Sequence, residues 1–181
     1  MRLACFVAVA LAHSLVSPDG RQALFAKPGE SRLWIENLRT HEERKVFDVT
    51  VQTLTVDWAP DSAAFIANDR EASDREFAWI YDVRTLDRLD LEGRIAATDP
   101  QALRFVPTAD TAPHSYAHAI RWLDAQHVEV RLHGHTDGFR RGNSIVPGDC
   151  FDLRYRIGRD GAVRKLSQRV MPISDRDGCP E

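Results

Sequence analysis

An all-β fold assembled from repeated antiparallel units is what this chain predicts, and three observations predict it. One phrase occurs twice. Ser17-Pro18-Asp19-Gly20 precedes an apolar stretch and then Leu33-Trp34-Ile35-Glu36-Asn37-Leu38-Arg39-Thr40. Trp58-Ala59-Pro60-Asp61-Ser62 precedes another, and then Trp79-Ile80-Tyr81-Asp82-Val83-Arg84-Thr85. The spacing is nearly fixed, with the Pro-Asp turns 42 residues apart and the Trp-Ile segments 45 apart. A period of this size marks a repeat architecture, typically a propeller of four-stranded blades. The stretches between turns are rich in β-branched and aromatic residues, as half-buried strands are.

The elements follow in order. The first repeat predicts strands over 22–27, 32–38 and 45–49, linked by turn material at 28–30 and 39–43. The second predicts 52–58, where Leu54, Val56 and Trp58 share one face, then 62–68, 77–83 and a short 88–91. A third, more divergent repeat starts with 118–123, in which Trp122 takes the place of Trp58. It continues through 127–133 and 151–157, where Tyr155 answers Tyr81, and closes with 163–169 after an Asp160-Gly161 hairpin turn. The blades are expected at about 13–50, 51–91 and 116–170, with insertions at 92–115 and 134–149. In the first insertion, Asp99 reads as an N-cap and Pro100 as the first residue of a helical turn over 101–105.

Trp58-Ala59-Pro60-Asp61-Ser62, the strand after it, Asn68-Asp69-Arg70 and Trp79-Ile80-Tyr81-Asp82-Val83 resemble the repeat of TolB-like and WD40-like β-propellers. The resemblance is good over 15–90 and weak over 116–170. It implies a protein-contact role and no catalytic residue in the repeat itself. Pro18 and Pro60 preset the first turn position, while Asp19 and Asp61 accept hydrogen bonds from the turn backbone. Three blades cannot close a ring, since propellers have 4 to 8. The expected fold is therefore all-β, an incomplete or oligomer-completed β-propeller of about three four-stranded antiparallel blades.

A chain of 181 residues with 43% hydrophobic and 28% charged residues is one globular domain. Its net charge of -3 gives no electrostatic basis for binding nucleic acid or an anionic membrane. The aromatics occur at core spacing, and no basic stripe runs between them. The excess of 21 Arg over 3 Lys reads as codon usage. Residues 1–12 carry a basic Arg2, the apolar run 3–12 and a small-x-small end at Ala10-Leu11-Ala12. This is the pattern of a signal peptide with a mature start near His13, too short to span a bilayer. The competing reading makes it a first buried strand of a cytoplasmic protein. Loss of Cys5 with the signal leaves Cys150 and Cys179, which flank the last hairpin and are expected to pair in an oxidising compartment.

The sharpest polar cluster is His133-Gly134-His135 with Asp137, and His118 is a candidate third imidazole. Histidines two apart on a strand project from one face, as zinc ligands do; the competing reading is a structural turn. Arg140 and Arg141, in the Gly-rich insertion, could grip a carboxylate or phosphate. Ser144 lacks the Gly spacing of a nucleophile elbow. The charge run Asp69 to Glu76 reads as a solvated link.

The expectation is an exported, non-catalytic binding module that uses its two long insertions to contact a protein or small ligand and needs no cofactor. One alternative is a small metal-dependent protein, with zinc as the metal, centred on His133, His135 and Asp137. Another is a half-propeller that completes an oligomer, for example as a homodimer.

Overall fold

The structure is a computed structural model that describes residues 16–49, 53–72, 75–105, 114–136, 139–141, 144–146, 148–172 and 179. The expected signal peptide at 1–12 lies outside the described residues. The fold is mostly β and its sheets are built of antiparallel strands. Strands β1 (Gln22–Ala26), β2 (Arg32–Asn37) and β3 (Glu42–Asp48) form a three-stranded meander. A second group comprises β4 (Thr53–Trp58), β5 (Ala64–Ala72), β6 (Arg75–Asp82) and β7 (Arg88–Asp90). Helix α1 (Leu91–Thr98) and a 3-10 turn (Pro100–Phe105) follow. The third group is β8 (His114–Trp122), β9 (His127–His135), β12 (Asp149–Gly158) and β13 (Val163–Pro172). The small hairpin β10 (Phe139–Arg141) and β11 (Ser144–Val146) lies between β9 and β12.

The repeated phrase folds as a repeated turn. Gly20 N–H bonds the Ser17 carbonyl at 2.9 Å, and Ser62 N–H bonds the Ala59 carbonyl at 2.9 Å. Gly20 and Ser62 share a left-handed backbone, with φ of 72° and 61°. Asp19 Oδ1 accepts from Arg21 N–H and Asp61 Oδ1 from Ala63 N–H, each at 3.1 Å. Asn37 and Asp82 repeat a second turn. Each Oδ1 accepts two backbone N–H groups, and the turn ends in a left-handed residue, His41 or Leu86. Equal spacing in sequence has become equal geometry.

Consecutive units then stack face to face. Leu24, Leu33 and Ile35 of the first unit pack with Leu54, Val56, Trp58, Phe65 and Tyr81 of the second. Aromatic contacts bind this seam: Phe65 and Phe47 both stack on Tyr81, at 5.2 and 5.5 Å, and Trp58 meets Phe65 edge-on at 5.4 Å. The other face of the second unit offers Ala64, Ile66, Ala78 and Ile80 to Val128, Val130, Leu132, Leu153, Tyr155 and Ile157 of the third.

Three differences from the sequence reading have physical reasons. The second and third units are not separate sheets. β6 and β8 pair in parallel, Arg75 with Ser115 and Glu76 with Tyr116, giving one eight-stranded sheet in which β7 pairs β6 off the main path. The first insertion is not a free loop. Leu91, Ile95 and Ala102 are fully buried and fill the wedge between the second and third units, so its length has a packing reason. Helix α1 was not expected, because Gly93 and its eight-residue length weaken the helical signal. Its cues were present: Asp90 caps it by accepting from Gly93 N–H at 3.1 Å, and Leu91 and Ile95 share a face. The following turn starts as expected, with Asp99 Oδ1 accepting from Gln101 N–H.

Glu92, on α1, has a displaced titration. It is 8% exposed and accepts from Ser115 Oγ at 3.1 Å, with Arg75 at 3.8 Å. Burial raises its pKa above the ordinary glutamate value, and Ser115 and Arg75 offset only part of that. A raised folded pKa means that the folded state holds the proton more tightly than the unfolded state. The penalty is absent below the ordinary value, grows as pH rises toward the folded value, and is constant above it. Glu92→Gln is therefore expected to raise the melting temperature at about pH 7 and to lose that gain by about pH 3. Thermal scans across pH check this; a pH-independent effect would contradict it.

Candidate ligand site on the outward face of the third unit

The third unit turns one face to the core and the other outward, where Glu76 and Arg70 of the second unit meet His118 and Tyr116 of β8. Equivalence within the repeats shows what changed there. Leu24 and Ile66, the second-strand residues that face the next unit, correspond to Glu129. The third-strand pairs Leu33 with Ile35, and Ala78 with Ile80, correspond to Arg154 with Arg156. Where two units place apolar side chains for stacking, the third places charges.

These charges are paired. Glu129 is 8% exposed and lies between Arg121 and Arg154, at 3.0 and 3.1 Å. Arg131 makes two bonds to the Asp152 carboxylate, at 3.1 and 2.9 Å, a geometry that fixes both side chains. His118 bonds Glu76 at 2.7 Å.

Beside this ladder lies a cavity of about 330 Å³, lined among others by Tyr116, Arg131, His133, His135, Asp152 and Arg169. Its volume is at the lower end of the range for small-ligand sites. Tyr116 and His133 face each other across β8 and β9 and stack at 5.3 Å. His135 stands opposite Cys150, and the Cys150–Cys179 disulfide closes one side, spanning 29 residues. Met171, opposite Cys150 on β13, adds a flexible thioether. Burial lowers the His133 pKa and the adjacent Arg131 lowers it further, so the imidazole is neutral near pH 7.

The residues singled out in the sequence sort as follows. His133 and His135 line the cavity together. His118 stands opposite Arg131, not His133, because the β8–β9 register puts Tyr116 there. Asp137 lies outside the described residues. Among the described residues, no three His, Cys, Asp or Glu side chains converge as a metal site. Arg140 and Arg141 are on β10, with Arg140 opposite Ile145 and Arg141 opposite Ser144. Trp58 is 7% exposed at the first seam. Trp122 is only half-buried, packs at the second seam and donates Nε1–H to the Asp57 carbonyl at 3.2 Å. Each Trp thus leans on the unit before it. Pro18 and Pro60 occupy the repeated turns. Ser17 Oγ donates to Asp19 at 2.7 Å and, with Arg21 N–H, holds its pKa below the usual carboxylate range. Asp61 also reaches across to Arg159 of the third unit at 3.1 Å.

Sequence reasoning missed Tyr116, Arg131, Asp152, Arg169 and Met171. The available signal was strand parity: once 127–133 is read as a strand, Arg131 must share the face of His133. Which residues of β8, β12 and β13 join them depends on register, and bulges at Ala119/Arg121 and Arg154/Tyr155 shift it.

No family model matches the chain, and no curated protein matches it. Solved structures do. An oligogalacturonate lyase from Vibrio parahaemolyticus is 13% identical at a TM-score of 0.45, over 84% of this chain and 38% of that one. An acylaminoacyl peptidase from Pyrococcus horikoshii is 15% identical at 0.47, over 90% and 25%. A putative TolB from Agrobacterium tumefaciens is 13% identical at 0.40, over 87% and 49%. The chain spans less than half the length of each.

Proposed function

We propose that this chain is a non-catalytic interaction module of the TolB-like propeller type, with about three blades. Its ligand face is the outward face of the third blade together with the 134–149 insertion. One observation carries the reading: the charges at Glu129, Arg154 and Arg156, where the other two units have stacking residues. A face built to pack another sheet keeps its apolar residues, whereas a face built to meet a polar partner presents oriented charges and a cavity. The second insertion carries the β10–β11 hairpin with Arg140 and Arg141 and joins the same end of β9 and β12 that frames the cavity. The disulfide supports an exported protein, since such bonds persist in oxidising compartments. Among the described residues, no helix is long and apolar enough to cross a membrane.

The test is quantitative binding to a partner identified by cross-linking and then purified. The Arg140→Ala/Arg141→Ala/Arg154→Ala variant is expected to bind about tenfold or more weakly with its fold retained, because it loses charge-assisted hydrogen bonds. A variant at the distant exposed Arg39 should bind normally. If the triple variant binds as tightly as the parent chain, the face is not the binding face.

A further inference from the structure

The cavity has a chemistry more specific than its polar surroundings. Of its charged residues, Arg131 and Asp152 neutralise each other through two hydrogen bonds. Arg169 is directly opposite Asp152 on β13, but its hydrogen bond runs from Nε to Met171 Sδ at 3.2 Å. A thioether is a weak acceptor, and no carboxylate among the described residues pairs with this guanidinium. Among the described residues Arg169 is thus the positive charge of the cavity that has no carboxylate paired with it. The β8–β9 side of the cavity carries the Tyr116 and His133 rings, stacked on each other at 5.3 Å, with Arg70 over the Tyr116 ring. Met171 and the disulfide supply soft, polarizable surface between the two.

Resting on the binding-face reading above, we propose that this cavity binds an aryl carboxylate, its anionic group on Arg169 and its ring against Tyr116 and His133. Arginine presents a planar fork that matches a carboxylate. A ring that joins an aromatic pair gains dispersion and quadrupole contacts that an aliphatic chain does not. The Arg131–Asp152 pair is already neutral, so the charge preference falls on Arg169. The carboxylate can come from a free small molecule or from the C-terminal residue of a peptide.

Met171 allows a direct test, because the chain has only two methionines and the other is Met1. The protein labelled with 13C-methyl methionine is titrated with phenylacetate, phenylacetamide and N-acetyl-glycyl-phenylalanine. Phenylacetate is expected to shift the Met171 methyl signal and to bind about tenfold or more tightly than phenylacetamide, the value of one charge-assisted contact. Arg169→Gln should erase that preference, while Arg164→Gln, on the same strand and outside the cavity, should preserve it. A preference for the dipeptide over phenylacetate would assign the carboxylate to a peptide terminus. Equal binding of acid and amide, or an acid preference that survives Arg169→Gln, would overturn the proposal. So would a Met171 signal unmoved by every probe. Each of these results leaves the partner measurement on Arg140, Arg141 and Arg154 standing, so the two readings fail separately.

Discussion

Trp58→Ala is expected to destabilise the protein by about 3–5 kcal/mol, or to prevent folding, because a large buried ring leaves a cavity that its neighbours cannot fill. Trp58 is 7% exposed and meets Phe65 edge-on at 5.4 Å. Phe65 stacks on Tyr81, and Tyr81 on Phe47 of the first unit. Removing the indole thus exposes one end of a continuous aromatic run through the first seam. Trp122→Ala makes the informative comparison. Trp122 has the matching position in the third unit but is half-buried and rests on a seam that α1 also fills. Its loss should cost clearly less. Urea unfolding of both variants measures the difference; equal costs would mean that α1 does not relieve the second seam of its dependence on Trp122.

Asn68→Ala is expected to cost about 2–4 kcal/mol through unpaired hydrogen bonds, not through a cavity. Asn68 is 5% exposed on β5 and makes a reciprocal pair with the third unit. Its Oδ1 accepts from Ala119 N–H at 2.7 Å, and its Nδ2 donates to the Ala119 carbonyl at 3.0 Å. The amide thus stands in for a neighbouring strand beside the β8 bulge. Alanine would leave both backbone groups buried without a protein partner. Asn68→Asp keeps the acceptor but sets a carboxylate oxygen against the Ala119 carbonyl, so it should not rescue stability. Rescue by aspartate would show that only the Ala119 N–H bond matters.

The repeated turns and their strands were legible in the sequence because their cause is local. Pro and Asp set the turn, and Asn37 and Asp82 set the next one, using only atoms a few residues away. Most predicted strands of the second and third units match within a few residues for the same reason. β3 begins earlier than expected, at Glu42, because the left-handed His41 completes the turn sooner. What stayed hidden depends on register and on contacts distant in sequence. Nothing near residue 68 announces that its amide serves Ala119. The short parallel link between β6 and β8 has no sequence signature. His133 and His135 could be placed on one face by parity, yet Tyr116, Asp152 and Arg169 join them only through the pairing of four strands.

The charging of three seam positions sets a limit on assembly. In a stack where every unit shows the same apolar face forward, each added unit creates the site for the next, as in a growing polymer. Glu129, Arg154 and Arg156 act as a chain terminator, because a further sheet docking there would have to strip water from ion pairs that it cannot replace. Under the proposed function the same three side chains have a second effect, opposing the addition of further copies at that face, and restoring Ile, Ala and Ile there is expected to create a site for self-association.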